Sequence, residues 1–223
     1  MLKENLREIL DYIAGGNDRG EKITLVGATK TVDAATINEA VSFGLKVVAE
    51  NKVNEFREKT ASIKGAEQQF IGHLQTNKVK YIVGKVSLIH SVDTVHLAEE
   101  INSYAEKHGV KHDLLVEINV GEEASKSGFS ISDAETAIDQ IKNLKNVRIK
   151  GLMAMFPQGC DEETLVALCK KMRALYDKKN NEGYAFTVLS MGMTEDYKIA
   201  VKNGSNTIRI GSGIFGKRNY GVN

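Results

Sequence analysis

Residues 113–119 read Asp113-Leu114-Leu115-Val116-Glu117-Ile118-Asn119, with apolar side chains on consecutive positions at the centre. Successive side chains of a strand point to opposite faces of its sheet, so a strand of this kind is apolar on both faces. Sheets covered on both faces are typical of parallel strands joined by crossover helices. The stretch therefore predicts a buried strand of an α/β protein.

Seven other short apolar runs repeat this pattern along the chain. With 113–119, the candidate strands are 23–28, 46–49, 69–71, 88–92, 148–153, 185–190 and 207–210. Segments with apolar residues at helical spacing lie between them, at 34–43, 50–64, 94–107 and 162–179. Eight strands alternating with helices predict a single (β/α)8 TIM barrel, with an open doubly wound sheet as the alternative. Residues 1–10 also show helical spacing and predict an additional N-terminal helix.

Composition is that of a globular protein, with 42% hydrophobic residues, and the single proline argues against a Pro-rich linker. The length allows one or two domains, but no linker divides the chain, so we predict one domain over residues 1–223. The formal net charge of +1 provides no general attraction for nucleic acid or an anionic membrane. No apolar run approaches the roughly 18 residues that a membrane span needs, and the N-terminus lacks the apolar core of a secretory signal. With two cysteines that lack CxxC spacing, we expect a cytoplasmic protein with free thiols.

Chemistry in a parallel barrel lies at the carboxyl ends of the strands. Lys30 directly follows the first candidate strand, where its amine could form a Schiff base with an aldehyde or simply reach solvent. Asn51 follows the second strand and His73 the third, and either could bind a ligand or serve as a structural residue. His108 and His112 have the spacing of helical zinc ligands, but Gly109 between them leads into a strand, so we expect no metal site.

The last two candidate strands end in small residues. The stretches are Ser190-Met191-Gly192 and Arg209-Ile210-Gly211-Ser212. Small residues let backbone N–H groups approach an anion, and these two loops often hold phosphate in barrels. Arg209 could pair with the phosphate or donate to a ring nitrogen, and the methionines, including Met153, are expected in the core or the pocket wall. Residues 211–216 match GxGxxG, but no βαβ unit follows, so we reject a dinucleotide site.

Barrel closure makes the first and last strands neighbours, which would bring Lys30 to the predicted phosphate cup. This geometry suits a small aldehyde that carries a phosphate. Pyridoxal 5′-phosphate (PLP) fits, and a phosphorylated sugar is the rival. The basic residues of two helical segments, Lys52, Arg57 and Lys59 and then Lys178 and Lys179, are expected on solvated faces.

Several stretches together resemble the pyridoxal-phosphate homeostasis protein family, also called the PROSC or YggS-like family. They occur in order along nearly the whole chain, at residues 25–30, 50–55, 70–78, 119–128, 151–153, 189–194 and 209–216. The resemblance implies a single barrel like the alanine racemase N-terminal domain, with PLP as cofactor. It implies Lys30 as the Schiff-base lysine, Asn51 in the pocket, and phosphate contacts from Ser190, Met191, Gly192, Arg209, Gly211 and Ser212. His73 falls in a family motif without an assigned role.

Three hypotheses for the function follow. The resemblance favours a PLP carrier without catalytic residues, in transient contact with PLP-dependent apo-enzymes. A lone barrel with no evident dimerisation element favours a monomer. A racemase-like amino-acid enzyme would need a second base opposite Lys30, and Tyr197 and Tyr220 are not identified as such by their spacing. A Schiff-base aldolase acting on a sugar phosphate would need His73 or Glu50 as its acid or base.

Overall fold

The computed structural model describes residues 1–123 and 126–216, and its centre is a closed barrel of eight parallel strands. The strands are β1 Thr24–Ala28, β2 Val47–Glu50, β3 Glu67–Phe70, β4 Leu88–Val92, β5 His112–Ile118, β6 Val147–Ala154, β7 Val188–Ser190 and β8 Thr207–Ile210. β1 pairs with β2 on one side and with β8 on the other, which closes the sheet. The predicted TIM barrel is confirmed, and the open sheet is excluded.

Helices surround the barrel. They are α1 Leu2–Ile13, α2 Ala34–Ser42, α3 Val53–Lys59, α4 Val95–Lys107, α5 Ile131–Lys142, α6 Glu162–Asn181, α7 Tyr197–Lys202 and α8 Ser212–Phe215. Two 3-10 helices, Thr60–Ser62 and Thr76–Tyr81, complete the connections. The extra N-terminal helix is confirmed, and α1 packs against α2 and α8 through Leu6, Ile9 and Ile13.

None of the helices in the described ranges is long and apolar enough to cross a bilayer.

Side-chain caps fix where four of the helices begin. Asp33, Thr94, Ser130 and Asp161 each accept a hydrogen bond from a backbone N–H of the first turn of α2, α4, α5 and α6. Such a cap satisfies a donor that the helix itself leaves unpaired and contributes about 1 kcal/mol. The caps therefore set the lengths of the loops that leave the barrel.

Two predicted boundaries are wrong for reasons of backbone geometry. The seventh strand begins at Val188 and not at residue 185, because Ala185 has a φ of 56°, which a strand does not accommodate. The helix predicted from residue 50 begins at Val53, because Glu50 still belongs to β2 and Lys52 is extended, with φ −124° and ψ 129°. Asn51 is thereby left on the loop at the barrel mouth.

The barrel interior holds two small apolar clusters. Val26, Val47, Ala49 and Ile71 form one, and Leu88, Leu115 and Met153 form the other. The larger clusters lie outside, between strands and helices. Buried polar side chains from β3, β4, β7 and β8 are also hydrogen-bonded to one another across the sheet.

Two lysines expected on solvated helix faces are buried instead. Lys179 has a side chain only 2% exposed, and its ammonium lies 3.0 Å from Asp139 and 2.9 Å from Glu182. Lys59 is 11% exposed and pairs with buried Glu50. Each lysine pairs with a carboxylate on another element, Glu50 on β2 for Lys59 and Asp139 on α5 for Lys179. Helical spacing does not predict such contacts.

Candidate functional site

Two adjoining cavities lie at the carboxyl ends of the strands. The larger has a volume of about 640 Å³ and the smaller about 290 Å³. Ala28, Gly211 and Ser212 line both, so the ends of β1 and β8 form the ridge between them. Cavities of this size are typical of sites for small molecules and cofactors.

Lys30 lies in a tight turn that follows β1, where it lines the smaller cavity and is half-buried. The next residue, Thr31, has a φ of 64°, a left-handed conformation that costs free energy for a residue with a Cβ. Its backbone N–H donates to Glu55 over 2.7 Å, which holds this conformation. Within the described residues no acceptor lies within hydrogen-bond distance of the Lys30 ammonium, so no such hydrogen bond competes with a ligand for it.

A buried ion pair between α3 and β2 stabilises this turn. Lys59 Nζ lies 2.5 Å from Glu50 Oε1, and their side chains are 11% and 3% exposed. The same ammonium donates to the carbonyl oxygens of Thr29, over 2.8 Å, and of Val32, over 2.9 Å. Thr29 in turn donates its hydroxyl to Glu50. The carbonyls on both sides of Lys30 are therefore fixed to α3 and β2.

Ser212 and Gly213 contact Thr194 beside the ridge between the cavities. The Gly213 N–H donates to Thr194 Oγ1 over 3.2 Å, and the Ser212 hydroxyl lies 3.3 Å from the same oxygen. A Cβ on Gly213 would come within 2.9 Å of Ile210 and 3.1 Å of Thr194, so the close approach requires glycine. Gly211, Ser212 and Thr194 thus form a cup of small residues and hydroxyl groups at the strand ends, which suits a small anion.

Arg209 forms part of the floor of the larger cavity, although only 4% of the residue is exposed. Its Nη1 donates to Ser190 Oγ over 2.6 Å, and its Nη2 donates to the carbonyl of Ala154 over 2.9 Å. Burial lowers the pKa of Arg209 to about 10, and the charges of Glu117 and Asp196 limit the fall. The guanidinium is therefore still a cation at neutral pH, held from behind and facing the cavity.

Three of the predicted phosphate contacts lie behind the cavity surface. They are Ser190, Met191 and Gly192. Ser190 and Met191 are fully buried, and none of the three lines either cavity. Gly192 has a φ of 99°, and a Cβ there would lie 2.9 Å from the Cα of Tyr197. Their direct contact with phosphate stays a prediction, whereas the contact of Ser190 with Arg209 is a feature of the structure.

Asn51 lines the larger cavity, as expected for a pocket residue. His73 is 61% exposed, and its Nδ1 lies 3.0 Å from Asp93. Met153 lies inside the barrel and is 1% exposed. His73 and Met153 line neither cavity. Of the predicted residues, the structure brings Lys30, Asn51, Arg209, Gly211 and Ser212 to the cavities.

Three residues near the site were missed in the sequence. Thr194 lies within the stretch 189–194 but is not among the predicted site residues, although its hydroxyl is on the loop after β7. His90 and Glu117 occupy inward positions of β4 and β5, where strand alternation could have found them. Burial, and then the charge of Asp93, raises the pKa of Glu117 to about 7. This carboxyl is 4% exposed and is protonated in part at neutral pH.

Comparisons with known proteins agree with this geometry. The family model described as the alanine racemase N-terminal domain matches residues 2–219. A relative from Aquifex aeolicus (strain VF5), named pyridoxal phosphate homeostasis protein, is 40% identical over 224 residues, covering 97% of this chain and 98% of the relative.

Solved structures give the same result. PipY of Synechococcus elongatus PCC7942 is 28% identical, with TM-scores of 0.88 without PLP and 0.84 with PLP bound, covering 97% of this chain and all of PipY. An alanine racemase from Clostridium difficile 630, 16% identical with a TM-score of 0.78, shares the fold over 95% of this chain and 59% of its own. The chain therefore belongs to the alanine racemase N-terminal domain family and, within it, to the pyridoxal phosphate homeostasis proteins.

Proposed function

We propose that this protein binds pyridoxal 5′-phosphate in cofactor homeostasis, holding it as a Schiff base on Lys30 without catalytic turnover. The observation that carries the proposal is the juxtaposition at the barrel mouth of Lys30 with the cup formed by Gly211, Ser212 and Thr194. The PLP bound to PipY, a relative with the same barrel, supports the identity of the ligand.

The residues present fit the chemical groups of PLP. The Lys30 amine has no hydrogen-bond acceptor within reach among residues 1–123 and 126–216, and it can condense with the aldehyde with loss of water. In the cup the Gly213 N–H and the Ser212 hydroxyl donate to Thr194 Oγ1, which leaves the Thr194 hydroxyl proton as the donor for the phosphate. Arg209 supplies a fixed cation at the cavity floor, and Asn51 supplies an amide at the wall. A phosphorylated sugar would use the same amine and cup but would leave the apolar wall around Ile71 and Met155 without a partner.

The absence of turnover is proposed from the surroundings of Lys30. Bound PLP supplies an electron sink for carbanions, and racemisation requires a second base on the opposite face. Tyr197 is 7% exposed and packs edge-on against Tyr12, with ring centroids 5.5 Å apart, so its phenol faces α1. Tyr220 lies outside the described residues. The name of the Aquifex relative, a homeostasis protein, supports the same reading.

Trapping with borohydride tests the proposal. We expect the purified protein incubated with PLP to be yellow, to lose the colour on reduction, and to carry one pyridoxyl phosphate group on the Lys30 peptide. Lys30→Arg keeps the positive charge but cannot form a Schiff base, so it should carry no adduct. Lys22→Arg changes an exposed lysine just before β1 and should label like the wild type. A colourless wild type without an adduct would refute PLP binding and favour the aldolase.

Proton exchange separates a carrier from an enzyme. Amino acids incubated in deuterated water with PLP and the protein should exchange their α-proton no faster than with PLP alone. Faster exchange by the wild type that Lys30→Ala abolishes would show that the protein is an enzyme.

We further propose that residues 1–223 act as one domain and as a monomer in the cytoplasm, passing the cofactor to PLP-dependent apo-enzymes through transient contacts. Cys160 and Cys169 are both free thiols, as a reducing compartment requires. Sedimentation of the purified chain with and without PLP tests the monomer, and a stable dimer in either state would contradict it.

A further inference from the structure

A chain of buried polar side chains crosses the barrel interior behind Arg209. It runs from Ser190 on β7 to His90 on β4 and then to Gln69 and Glu67 on β3. Ser190 Oγ lies 3.1 Å from His90 Nδ1, His90 Nε2 lies 2.7 Å from Gln69 Oε1, and Gln69 Nε2 lies 2.7 Å from Glu67 Oε1. Ser190 and His90 are fully buried, whereas Glu67 is exposed at the amino end of β3, opposite the cavities.

The direction of every hydrogen bond in this chain follows from its two ends. Glu67 can only accept, so the Gln69 amide nitrogen faces it and the Gln69 oxygen faces His90. His90 must then donate from Nε2, which leaves Nδ1 of the neutral ring as an acceptor. Ser190 therefore donates its proton to His90 and turns its lone pairs towards Arg209, which donates over 2.6 Å. All the donors point from the guanidinium to the carboxylate.

A neutral His90 is required for this arrangement. Burial, and then the positive charge of Arg209, lowers the pKa of His90 well below its usual value. A protonated ring would offer Ser190 a second donor and would leave the serine unable to donate to it. The Ser190 hydroxyl would then accept from both His90 and Arg209, and its own proton would have no acceptor in this chain of hydrogen bonds.

Stability is a weak reason for such a chain inside a barrel. Elsewhere the interior is packed with Val26, Ala49 and Ile71 or with Leu115 and Met153. Apolar side chains of similar volume stabilise a core as well as or better than a buried polar network. This chain of hydrogen bonds is distinguished by its end at Arg209. Among the described residues, the Arg209 guanidinium is the one that lines the larger cavity.

We propose that Ser190, His90 and Gln69 are positioning residues that hold the Arg209 guanidinium in place on the cavity floor, where it meets bound PLP. This inference rests on the function proposed above. With Nη1 fixed to Ser190 and Nη2 to the Ala154 carbonyl, the plane of the guanidinium is set, and its remaining N–H groups keep one orientation. Ser190 thus serves the cofactor through Arg209 and needs no contact with phosphate.

The test compares ligand preferences, which a merely structural residue would not change. Dissociation constants are measured by absorbance titration for PLP, for pyridoxal, which lacks the phosphate, and for 1-deazapyridoxal 5′-phosphate, which lacks the ring nitrogen. All three carry the aldehyde that reacts with Lys30. Ser190→Ala should reduce the preference for PLP over one of the two analogues by about tenfold, the value of one charged hydrogen bond. A loss against the deaza analogue would assign Arg209 to the ring nitrogen, and a loss against pyridoxal would assign it to the phosphate.

Ser205→Ala is the matched control. Ser205 is also fully buried and precedes β8, but in the part of the chain that the structure describes its hydroxyl donates only to the carbonyls of Leu189, Met191 and Thr207. It should keep the wild-type preference. Gln69→Met, which is three hydrogen bonds away from Arg209, should change the preference in the same direction as Ser190→Ala but less. It decides the test if a thermal melt shows that Ser190→Ala does not fold.

Three results would overturn the inference. The first is an unchanged preference in the folded Ser190→Ala and Gln69→Met variants, with PLP still trapped on Lys30. The second is an equal loss in Ser205→Ala, which would indicate a general effect of packing. The third is a wild type that does not bind PLP, which would overturn the proposed function as well, and borohydride trapping separates it from the first two.

Discussion

Replacing Lys59 by methionine should destabilise the protein strongly, although sequence patterning places this residue on a helix surface. Its ammonium lies 2.5 Å from Glu50 and donates to the carbonyls of Thr29 and Val32. Lys59→Met keeps the length of the side chain but leaves a carboxylate that is 3% exposed without its cation. Breaking a buried ion pair from one side costs about 3–5 kcal/mol.

Urea unfolding followed by circular dichroism measures this loss directly. Lys178→Met is the control, because Lys178 is 53% exposed and its pairing with Glu135 at the surface is worth about 1 kcal/mol or less. The double variant Lys59→Met/Glu50→Gln removes both charges and should recover more than half of the loss.

The turn after β1 should also loosen when Lys59 is replaced, so we expect slower borohydride-trapped labelling of Lys30 under native conditions. A loss of free energy of unfolding no larger than that of Lys178→Met would refute the reasoning. It would mean that water or another cation replaces Lys59 at Glu50 without cost.

Three further predictions concern the site and the core. Arg209→Gln should weaken PLP binding by about tenfold to a hundredfold in equilibrium dialysis, and equal retention by wild type and variant would contradict the role of Arg209. Glu117 has a pKa raised to about 7, so it stabilises the fold most below pH 4 and loses that contribution as pH rises through 7. Between pH 4 and pH 8 the free energy of unfolding of the wild type, measured in urea, should fall by up to about 3 kcal/mol relative to that of Glu117→Gln. Parallel pH profiles of the two proteins would contradict a raised pKa at Glu117. Burial raises the pKa of the Cys169 thiol to about 12. A disulfide reagent should therefore label Cys160 in the native protein and Cys169 only after unfolding. Rapid labelling of both thiols in the native protein would disprove this prediction.

At the Lys30 turn, the sequence pattern predicts the position of the residue, and tertiary contacts determine its conformation. Its position after β1 is readable from an apolar run followed by lysine. Its conformation depends on Glu55, Lys59 and Glu50, which approach from the next β–α unit. A helix pattern records only that Lys59 and Glu55 share a face, and it cannot tell that this face is turned towards β1.

The barrel and the place of its chemistry were readable from the sequence, because both depend on local periodicity. Consecutive apolar residues mark buried parallel strands, helical spacing marks the crossovers, and eight such units close so that β1 meets β8. The meeting of Lys30 with Gly211 and Ser212 follows from that closure alone.

Contacts across the barrel interior were not readable in this way. His90 and Ser190 are 100 residues apart, and their hydrogen bond depends on strand tilt and on the layer that each side chain reaches inside the closed sheet. The same sequence motif that suggested a phosphate contact for Ser190 thus placed its hydroxyl behind Arg209. Local pattern determined which residues lie at the strand ends, and barrel closure determined which of them meet, since only closure sets distances between strands that are far apart in the chain.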